Sequence, residues 1–317
     1  MAKLFSIVIP VFQNEANLQD TVPALLALRD KLHECALELV FVDDGSTDKS
    51  FALLEGFAAR HPDIIRVVKL ARNFGQKPAV QAGLRFAHGD CVGIISADLQ
   101  EPPEVLVDMV AEWHRGAKFV IGERTARQEG PLHRALSGIY WQLVRRFAFP
   151  NYPRLGYDVC LLDRQVVNEI NRINEKNSSI FVLIYWLGYP AVRIPITRRL
   201  RHKGTSQQRL WRKISLTVDT LIGFTYLPAR LITFIGLTVG TLCVLYFIYL
   251  LGNWFWFHAA PPGWMTFAGL LTLLGALGLF SIGIVTEYLL RILDEARKRP
   301  PYVVDVVVEI ELPRSSK

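Results

Sequence analysis

The chain has 317 residues, 51% of them hydrophobic, and a formal net charge of +7 at pH 7. This length allows one or two domains. The four cysteines have neither paired nor metal-ligand spacing, which excludes a disulfide framework and a zinc site and predicts reduced thiols in a cytosolic compartment. The hydrophobicity is uneven, because residues 231–286 contain no Asp, Glu, Lys or Arg.

The N-terminal half alternates between strand and helix patterns. Its first apolar run is short and has no small-residue cleavage site, so no signal peptide is predicted. Short β-rich runs predict strands at 5–11, 37–43, 65–70 and 91–97, and helical patterns separate them at 18–32, 49–60 and 78–87. This alternation predicts an α/β domain whose mostly parallel sheet is covered by helices on both faces.

Polar loops follow the predicted strands. They read PVFQNE, DDGS, RNFG and SADLQEPP. Because ligands of parallel sheets bind at the carboxyl ends of the strands, we expect the functional site at this edge. Within DDGS, Asp44 and Gly45 are typical of a tight turn, and Asp44 can also accept hydrogen bonds from a base or a ribose.

The loop after the fourth strand contains two candidate metal ligands, Asp98 and Gln100. Pro102 and Pro103 prevent that strand from continuing. Hard divalent cations prefer oxygen ligands and often bridge to substrate phosphates, and alternation along an extended chain would direct both side chains to the same side. The sequence therefore predicts a Mg²⁺ or Mn²⁺ site for a diphosphate leaving group, with Glu101 dispensable.

Further elements follow this loop. The pattern predicts helices at 103–115, 132–147 and 164–173, with Asp163 as the N-cap of the last one, and a strand at 192–196. An amphipathic helix is predicted at 208–226. Its apolar face either lies in a membrane interface or packs on the soluble domain.

The charge-free block predicts two membrane spans, at about 231–251 and 264–286, because one span needs about 20 apolar residues. Pro261 and Pro262 interrupt the block between the two spans. Basic residues precede the first span and follow the second, whereas the intervening loop has no Lys or Arg. The positive-inside rule then predicts a multi-pass protein with both chain ends in the cytoplasm.

The C-terminal segment predicts one more strand. Residues 302–312 are rich in β-branched residues, and prolines bound them on both sides. A strand needs a partner, which is either an edge of the chain's own sheet or a neighbouring chain. We favour the neighbouring chain, and therefore expect a homo-oligomer.

The ordered motifs carry a family resemblance. The set PVFQNE, VDDGSTD, RNFGQ, ADLQEPP, GER, LLDR and R-x-x-G-x-S resembles family-2 glycosyltransferases of the GT-A fold. Within that family, the chain is similar to polyprenyl-phosphate glycosyltransferases, including dolichol-phosphate mannose synthases and bacterial undecaprenyl-phosphate glucosyltransferases with two C-terminal spans. The resemblance covers residues 4 to about 303 and implies inversion at the anomeric carbon.

The resemblance also implies roles for individual residues. Asp158 matches an acidic position near the reaction centre, Arg124 matches an arginine that meets the lipid phosphate or the donor, and Arg201 matches a diphosphate-binding arginine. Asp98 and Gln100 match metal ligands. The substrate-binding positions are Pro10, Phe12, Asn14, Glu15, Val42, Asp44, Ala97, Asp98, Arg124, Arg134, Ser137, Arg201, Ser206 and Gln207, with Gly204 as the hinge of the Arg201 loop.

Three positions depart from the family pattern. Asn14 stands where many relatives have Glu, with Glu15 next to it. Ser96 replaces the first Asp of DADLQ, so a metal would lose one ligand charge. Gln207 replaces a lysine, for which Lys203 or Arg209 can substitute.

The predicted reaction is transfer of a sugar, with glucose from UDP-glucose as the first candidate, to polyprenyl phosphate at the bacterial inner membrane. A processive polysaccharide synthase and a catalytically inactive nucleotide-binding scaffold are the alternatives. No nucleic-acid partner is expected. The predicted domains are a catalytic domain at 1–206, an interfacial region at 207–229, two spans within 230–290 and a cytoplasmic tail at 291–317.

Overall fold

The computed structural model describes residues 3–32, 34–125, 149–173, 179–197, 227–257 and 263–309, together with residues 138, 142, 145 and 146. The chain divides into two compact units. One comprises Met1–Thr217 and Pro300–Lys317, and the other comprises Val218–Arg299.

The first unit contains a sheet flanked by helices. The strands are β1 (Lys3–Val11), β2 (Cys35–Asp43), β3 (Ile65–Leu70), β4 (Cys91–Ile94), β5 (Phe119–Arg124), β6 (Cys160–Asp163), β7 (Ala191–Ile196) and β8 (Val304–Val308). The helices are α1 (Glu15–Leu26), α2 (Ser50–Arg60), α3 (Gln76–Phe86), α4 (Val105–His114), α5 (Arg164–Arg172) and α6 (Ile180–Trp186), and a 3₁₀ helix, Ala27–Lys31, follows α1.

The sheet is mostly parallel, as predicted. Its strand order is β7-β5-β6-β4-β1-β2-β3-β8. The strands β1 to β4 are mutually parallel where they pair, and β5 is parallel to β7. β6 is antiparallel to β4 and β5, and β8 is antiparallel to β3.

Helices cover both faces of this sheet. Ile7 and Ile9 of β1 belong to a buried cluster that includes Leu18 of α1. The intervening residue, Val8, points to the other face, where it lies so close to Gly83 of α3 that a β-carbon at position 83 would be 2.3 Å from Val8 Cγ1. Alternation along β1 thus contributes to both apolar layers.

Three elements of this unit were not predicted. β5 and β6 were missed as strands, and the short helix α6 was not expected. β6 lies in the middle of the sheet although it is only four residues long, and such short apolar runs give little periodicity. The predicted N-cap is confirmed, because Asp163 Oδ1 accepts a hydrogen bond of 2.8 Å from the Gln165 amide.

The C-terminal strand exists, but its predicted partner is wrong. β8 pairs with β3 of the same chain, placing Val307 opposite Val68 and Val308 opposite Val67. The free edge of β3 provides the unpaired backbone groups that β8 requires, so no neighbouring chain is needed. The prediction of a homo-oligomer therefore loses its structural basis.

The cysteines of the sheet are free thiols. Cys35, Cys91 and Cys160 are buried, and no disulfide joins them. Burial raises the pKa of each of these three thiols. Their environment thus disfavours the reactive thiolate.

The second unit contains two long helices, α7 (Leu227–Phe257) and α8 (Trp264–Ala296). Within the described residues, one segment is long and apolar enough to cross a membrane, Gly269–Leu290 in α8. The apolar segment found in α7, Ile232–Leu242, is shorter. By length and composition, Gly269–Leu290 is a candidate for the second predicted span, and the two-span hairpin stays a prediction. The amphipathic helix predicted at 208–226 lies outside the described residues, as does most of the helix predicted at 132–147.

Candidate active site

The loops after β1, β2, β3 and β4 lie along one edge of the sheet, because these strands are parallel. The register places Pro10 opposite Val42. Val42 is buried, whereas Pro10 and Phe12 are partly exposed. The sheet thus brings together the residues that the resemblance assigns to the nucleotide.

Asp44 connects the second of these loops to the third. Its Oδ1 accepts a hydrogen bond of 2.7 Å from the Phe74 amide, and its Oδ2 accepts one of 2.8 Å from the Gly75 amide. The residue is 3% exposed. Asp44 therefore shapes the RNFG loop, and its direct contact with a ribose stays a prediction.

Gly45 permits the same two loops to approach each other. Its φ is +66°, and a β-carbon at this position would lie 2.4 Å from the carbonyl carbon of Arg72. Both the left-handed backbone and the close approach require glycine. The DDGS motif therefore encodes a contact between loops as well as a turn.

The first and second loops are also joined by hydrogen bonds. The Asn14 amide donates to Ser50 Oγ at 2.9 Å, and the Glu15 amide donates to Asp48 Oδ2 at 3.2 Å. The Glu15 carboxylate in turn accepts from the Lys49 amide at 3.2 Å. Asn14 and Glu15 thus connect the segment after β1 to the segment after β2, and their contact with a substrate stays a prediction.

Two carboxyl groups of this edge, those of Asp43 and Asp48, have shifted pKa values. Burial raises the pKa of Asp43, and hydrogen bonds from Ser46 oppose the shift only in part. Burial also acts to raise the pKa of Asp48, but hydrogen bonds, chiefly from Ser50, outweigh it and lower that pKa. Asp48 is therefore a carboxylate at neutral pH.

The ADLQ segment turns instead of continuing as a strand. β4 ends at Ile94, and Leu99 has a φ of +51°. Asp98 Oδ1 accepts a hydrogen bond of 3.3 Å from the Gln100 amide and lies 3.0 Å from Ser96 Oγ. The strand alternation that we assumed for Asp98 and Gln100 is therefore wrong, because a left-handed residue separates them. Such strain is typical of functional sites.

Arg124 and Asp158, predicted for the acceptor side, are in contact. Arg124 ends β5 and its side chain is 9% exposed. Its Nη2 forms an ion pair with Oδ2 of Asp158, whose side chain is 34% exposed. The sheet therefore unites an arginine and a carboxylate that are distant in the sequence.

Glu101, which the sequence analysis expected to be dispensable, lies beside Arg124. It is fully buried, and its Oε2 accepts a hydrogen bond of 2.7 Å from Ser96 Oγ. Its Oε1 lies 3.9 Å from Nη2 of Arg124. The sequence gives little indication that Glu101 is buried. It directly precedes two prolines, but a charged side chain in a polar loop is ordinarily exposed.

Tight packing holds Asp158 next to β5. The Gly122 amide donates to the Val159 carbonyl at 3.0 Å, and a β-carbon at Gly122 would lie 2.4 Å from Val159 Cγ1. Tyr157, on the other side of Asp158, is buried, and burial raises its pKa well above the usual value. The glycine of the GER motif thus permits the approach that brings Asp158 to Arg124.

A metal ion at this edge would have few protein ligands. In the described part of the chain, no group of three or more His, Cys, Asp or Glu side chains is arranged to hold a metal ion. Asp98 is 8% exposed and Gln100 is partly exposed. One carboxylate and one amide fit a Mg²⁺-type ion, which takes few protein ligands and completes its coordination with water and substrate phosphates.

Several predicted residues lie outside the described residues. They are Arg134, Ser137, Arg201, Gly204, Ser206 and Gln207. The described site therefore contains the loops after β1 to β3, which we call the donor edge, together with Asp98, Arg124 and Asp158. The role of Arg134 at the acceptor phosphate and the role of the Arg201 loop at the donor diphosphate stay predictions.

The fold resembles that of solved nucleotide-sugar enzymes. Glucosyl-3-phosphoglycerate synthase from Mycobacterium tuberculosis, crystallised with Mn²⁺, UDP and phosphoglyceric acid, matches with a TM-score of 0.50 and 17% sequence identity. The match covers 68% of this chain and 75% of that enzyme. At this identity, the likeness establishes a glycosyltransferase GT-A-like fold.

The sequence comparisons define the family. The profile described as Glycosyl transferase family 2 matches residues 6–170, just over half of the chain. An uncharacterized glycosyltransferase of Synechocystis is 31% identical over 94% of both chains. The bactoprenol glucosyl transferase of Shigella phage SfV is 29% identical over 94% of this chain and 97% of its own length. The chain belongs to glycosyl transferase family 2 and is a glycosyltransferase.

Proposed function

We propose that this enzyme transfers a sugar, with glucose from UDP-glucose as the first candidate, to a polyprenyl phosphate. The observation that carries the proposal is the likeness to bactoprenol glucosyl transferase, which extends over 94% of the chain. That span covers the catalytic sheet and also the apolar helices. A soluble acceptor would account for the likeness over the catalytic sheet but not for the likeness over the apolar helices.

In this reaction, an oxygen of the lipid phosphate attacks the anomeric carbon of the donor sugar. The bond from that carbon to the diphosphate breaks, and its electron pair leaves with the nucleoside diphosphate. The second pKa of a phosphate monoester is about 6, so the nucleophile is largely dianionic at neutral pH. The enzyme therefore needs positioning and charge screening more than a strong base.

Arg124 and Asp158 supply the acceptor side of this mechanism. A guanidinium presents forked donors that match a phosphate. The arriving phosphate would compete with Asp158 for Arg124, and Asp158 would then orient the nucleophile or take a residual proton. Asp158 is accessible enough for this role, with its side chain 34% exposed.

Asp98 and Gln100 would hold a Mg²⁺ or Mn²⁺ ion on the donor side. When bound, such an ion offsets the charge that develops on the diphosphate. The charges of the described part of the site favour a cation, because Glu101 and Asp158 lie beside Arg124 and Asp98 adds a third carboxylate through Ser96. Arg201 is proposed to add a second positive group near the diphosphate.

The pairing of β8 supports a membrane hairpin. β3 precedes α7 and α8 in the sequence, β8 follows them, and both strands belong to one sheet. The segment between them must therefore begin and end on the same side of any membrane. If Gly269–Leu290 crosses, the chain crosses an even number of times, which makes α7 the second span. The basic flanks favour the cytoplasmic face of a bacterial inner membrane for the sheet.

A transfer assay tests the proposal. The purified, detergent-solubilised protein is incubated with polyprenyl phosphate, Mg²⁺ or Mn²⁺ and one of several radiolabelled nucleotide sugars. A lipid-linked monosaccharide is the expected product. A polymer would instead identify a processive synthase. Absence of any product with every donor, while nucleotide still binds, would identify an inactive scaffold.

A further inference from the structure

We propose that Glu101 is a positioning residue that holds Arg124 for the transfer reaction, an inference that rests on the proposed function. Glu101 is 0% exposed, so it cannot touch either substrate. A buried carboxylate is costly unless charge and hydrogen bonds compensate it. Ser96 and Arg124 contribute to this compensation.

The geometry shows what Glu101 does for Arg124. The Nη2 atom that pairs with Asp158 also lies 3.9 Å from Glu101 Oε1. Asp158 is partly exposed and can move when substrate arrives, whereas Glu101 is enclosed. Glu101 is therefore the carboxylate that keeps the guanidinium in place when the acceptor phosphate displaces Asp158.

Ser96 extends this arrangement to the donor side. Its hydroxyl lies 2.7 Å from Glu101 Oε2 and 3.0 Å from Asp98 Oδ1. A hydroxyl has one proton to donate, so it serves one carboxylate at a time. A serine at this position thus joins Asp98 to Glu101, where an aspartate would add a third negative charge.

Glu101→Gln is the central test because glutamine keeps the size and can still accept a hydrogen bond from Ser96. It removes the charge facing Arg124. We expect the folded variant to bind nucleotide like the wild type, while its KM for polyprenyl phosphate rises on the order of 10-fold or more. Arg124→Ala should show the same acceptor defect in a stronger form.

Glu104→Gln is the matched control. Glu104 lies in the same segment but is exposed, and its ion pair with Lys31 spans 3.8 Å at the surface. Exposed pairs contribute little, so this variant should keep wild-type kinetics. Ser96→Ala removes the hydroxyl and keeps the charge of Glu101, and we expect a smaller change in acceptor KM than Glu101→Gln causes.

The outcomes separate the inference from the proposed function. Wild-type acceptor KM in Glu101→Gln, with or without a lower unfolding temperature, would show that Glu101 is only structural. If the wild type itself transfers no sugar to polyprenyl phosphate, the proposed function fails instead. A crystal structure of Glu101→Gln decides the positioning role in that case, because an unchanged Arg124–Asp158 pair would refute it and a displaced guanidinium would support it.

Discussion

At the scale of single residues, the donor edge depends on two close contacts. Asp44 accepts hydrogen bonds from the amides of Phe74 and Gly75, and Gly45 lets the backbone of Arg72 approach. Each of these residues acts on the loop after β3. The shape of the RNFG loop thus depends on the turn after β2.

Gly45→Ala should therefore destabilise the catalytic unit. A left-handed backbone costs a non-glycine residue about 1–2 kcal/mol, and the contact with Arg72 adds to this cost. We also expect weaker nucleotide binding, because the RNFG loop must move. Thermal unfolding in detergent, with and without UDP, measures both effects.

Gly56→Ala is the control for this change. Gly56 lies in α2, and a β-carbon there has no neighbour within 4 Å. Alanine is the better helix former by about 1 kcal/mol, so this variant should be neutral or stabilised. Equal unfolding temperatures for the two variants would contradict the proposed role of Gly45.

Asp98 provides a second prediction at this scale. Asp98→Ala removes the main anionic ligand, and we expect it to abolish transfer and the response to Mg²⁺ or Mn²⁺. Asp108→Ala, an exposed position on α4, should keep activity and metal response. Undiminished transfer by Asp98→Ala, together with no effect of EDTA on the wild type, would refute the metal proposal.

At the scale of elements, β8 completes the sheet. It covers the outer edge of β3, and Val308 packs against the main core. The Val303 carbonyl also accepts a hydrogen bond of 2.9 Å from the Ala71 amide. β8 therefore supports the start of the RNFG loop, which connects the C-terminal segment to the donor edge.

Deleting residues 302–317 should lower the unfolding temperature of the catalytic unit and reduce nucleotide binding, because the edge of β3 becomes unpaired. Deleting only 310–317 leaves β8 in place and should have little effect. Light scattering in detergent should give the same number of chains per particle for both deletions and for the wild type. A drop in oligomer mass caused by the longer deletion alone would instead indicate strand exchange between chains.

At the scale of the whole molecule, the sheet restricts how the chain meets a membrane. Large apolar side chains are exposed along both long helices, for example Phe234 and Leu237 of α7 and Leu279 and Phe280 of α8. Such surfaces require a covering, and lipid suits them. Because β8 pairs with β3, the proposed hairpin is the arrangement that returns the chain to the sheet after a membrane crossing.

Reporter fusions test this arrangement. Alkaline phosphatase, which folds only outside the cytoplasm, should be active when inserted between 257 and 263 and inactive when fused after 317. A fluorescent protein should give the opposite pattern. Phosphatase activity at both positions, or at neither, would contradict the hairpin, and activity only at the C-terminus would contradict the cytoplasmic catalytic domain.

Much of the first half of the fold could be predicted from the sequence. The β1 to β4 strands and the helices between them have strong apolar periodicity, and Asp163 is a helix N-cap as predicted. β5 and β6 were not predicted, and β6 pairs antiparallel with both of its neighbours, β4 and β5, which departs from the parallel arrangement that the strand–helix alternation predicts. Which strands become neighbours depends on distant parts of the chain.

By itself, the sequence determined the family, the polar edge of the sheet and the candidates Asp98, Arg124 and Asp158, because these follow from motifs and local apolar patterns. Only the tertiary structure decided that Glu101 is buried against Arg124 and that β8 pairs with β3. The reason is physical. The burial of a carboxylate and the choice of a strand's partner depend on which distant surfaces meet, and local sequence carries little information about such contacts.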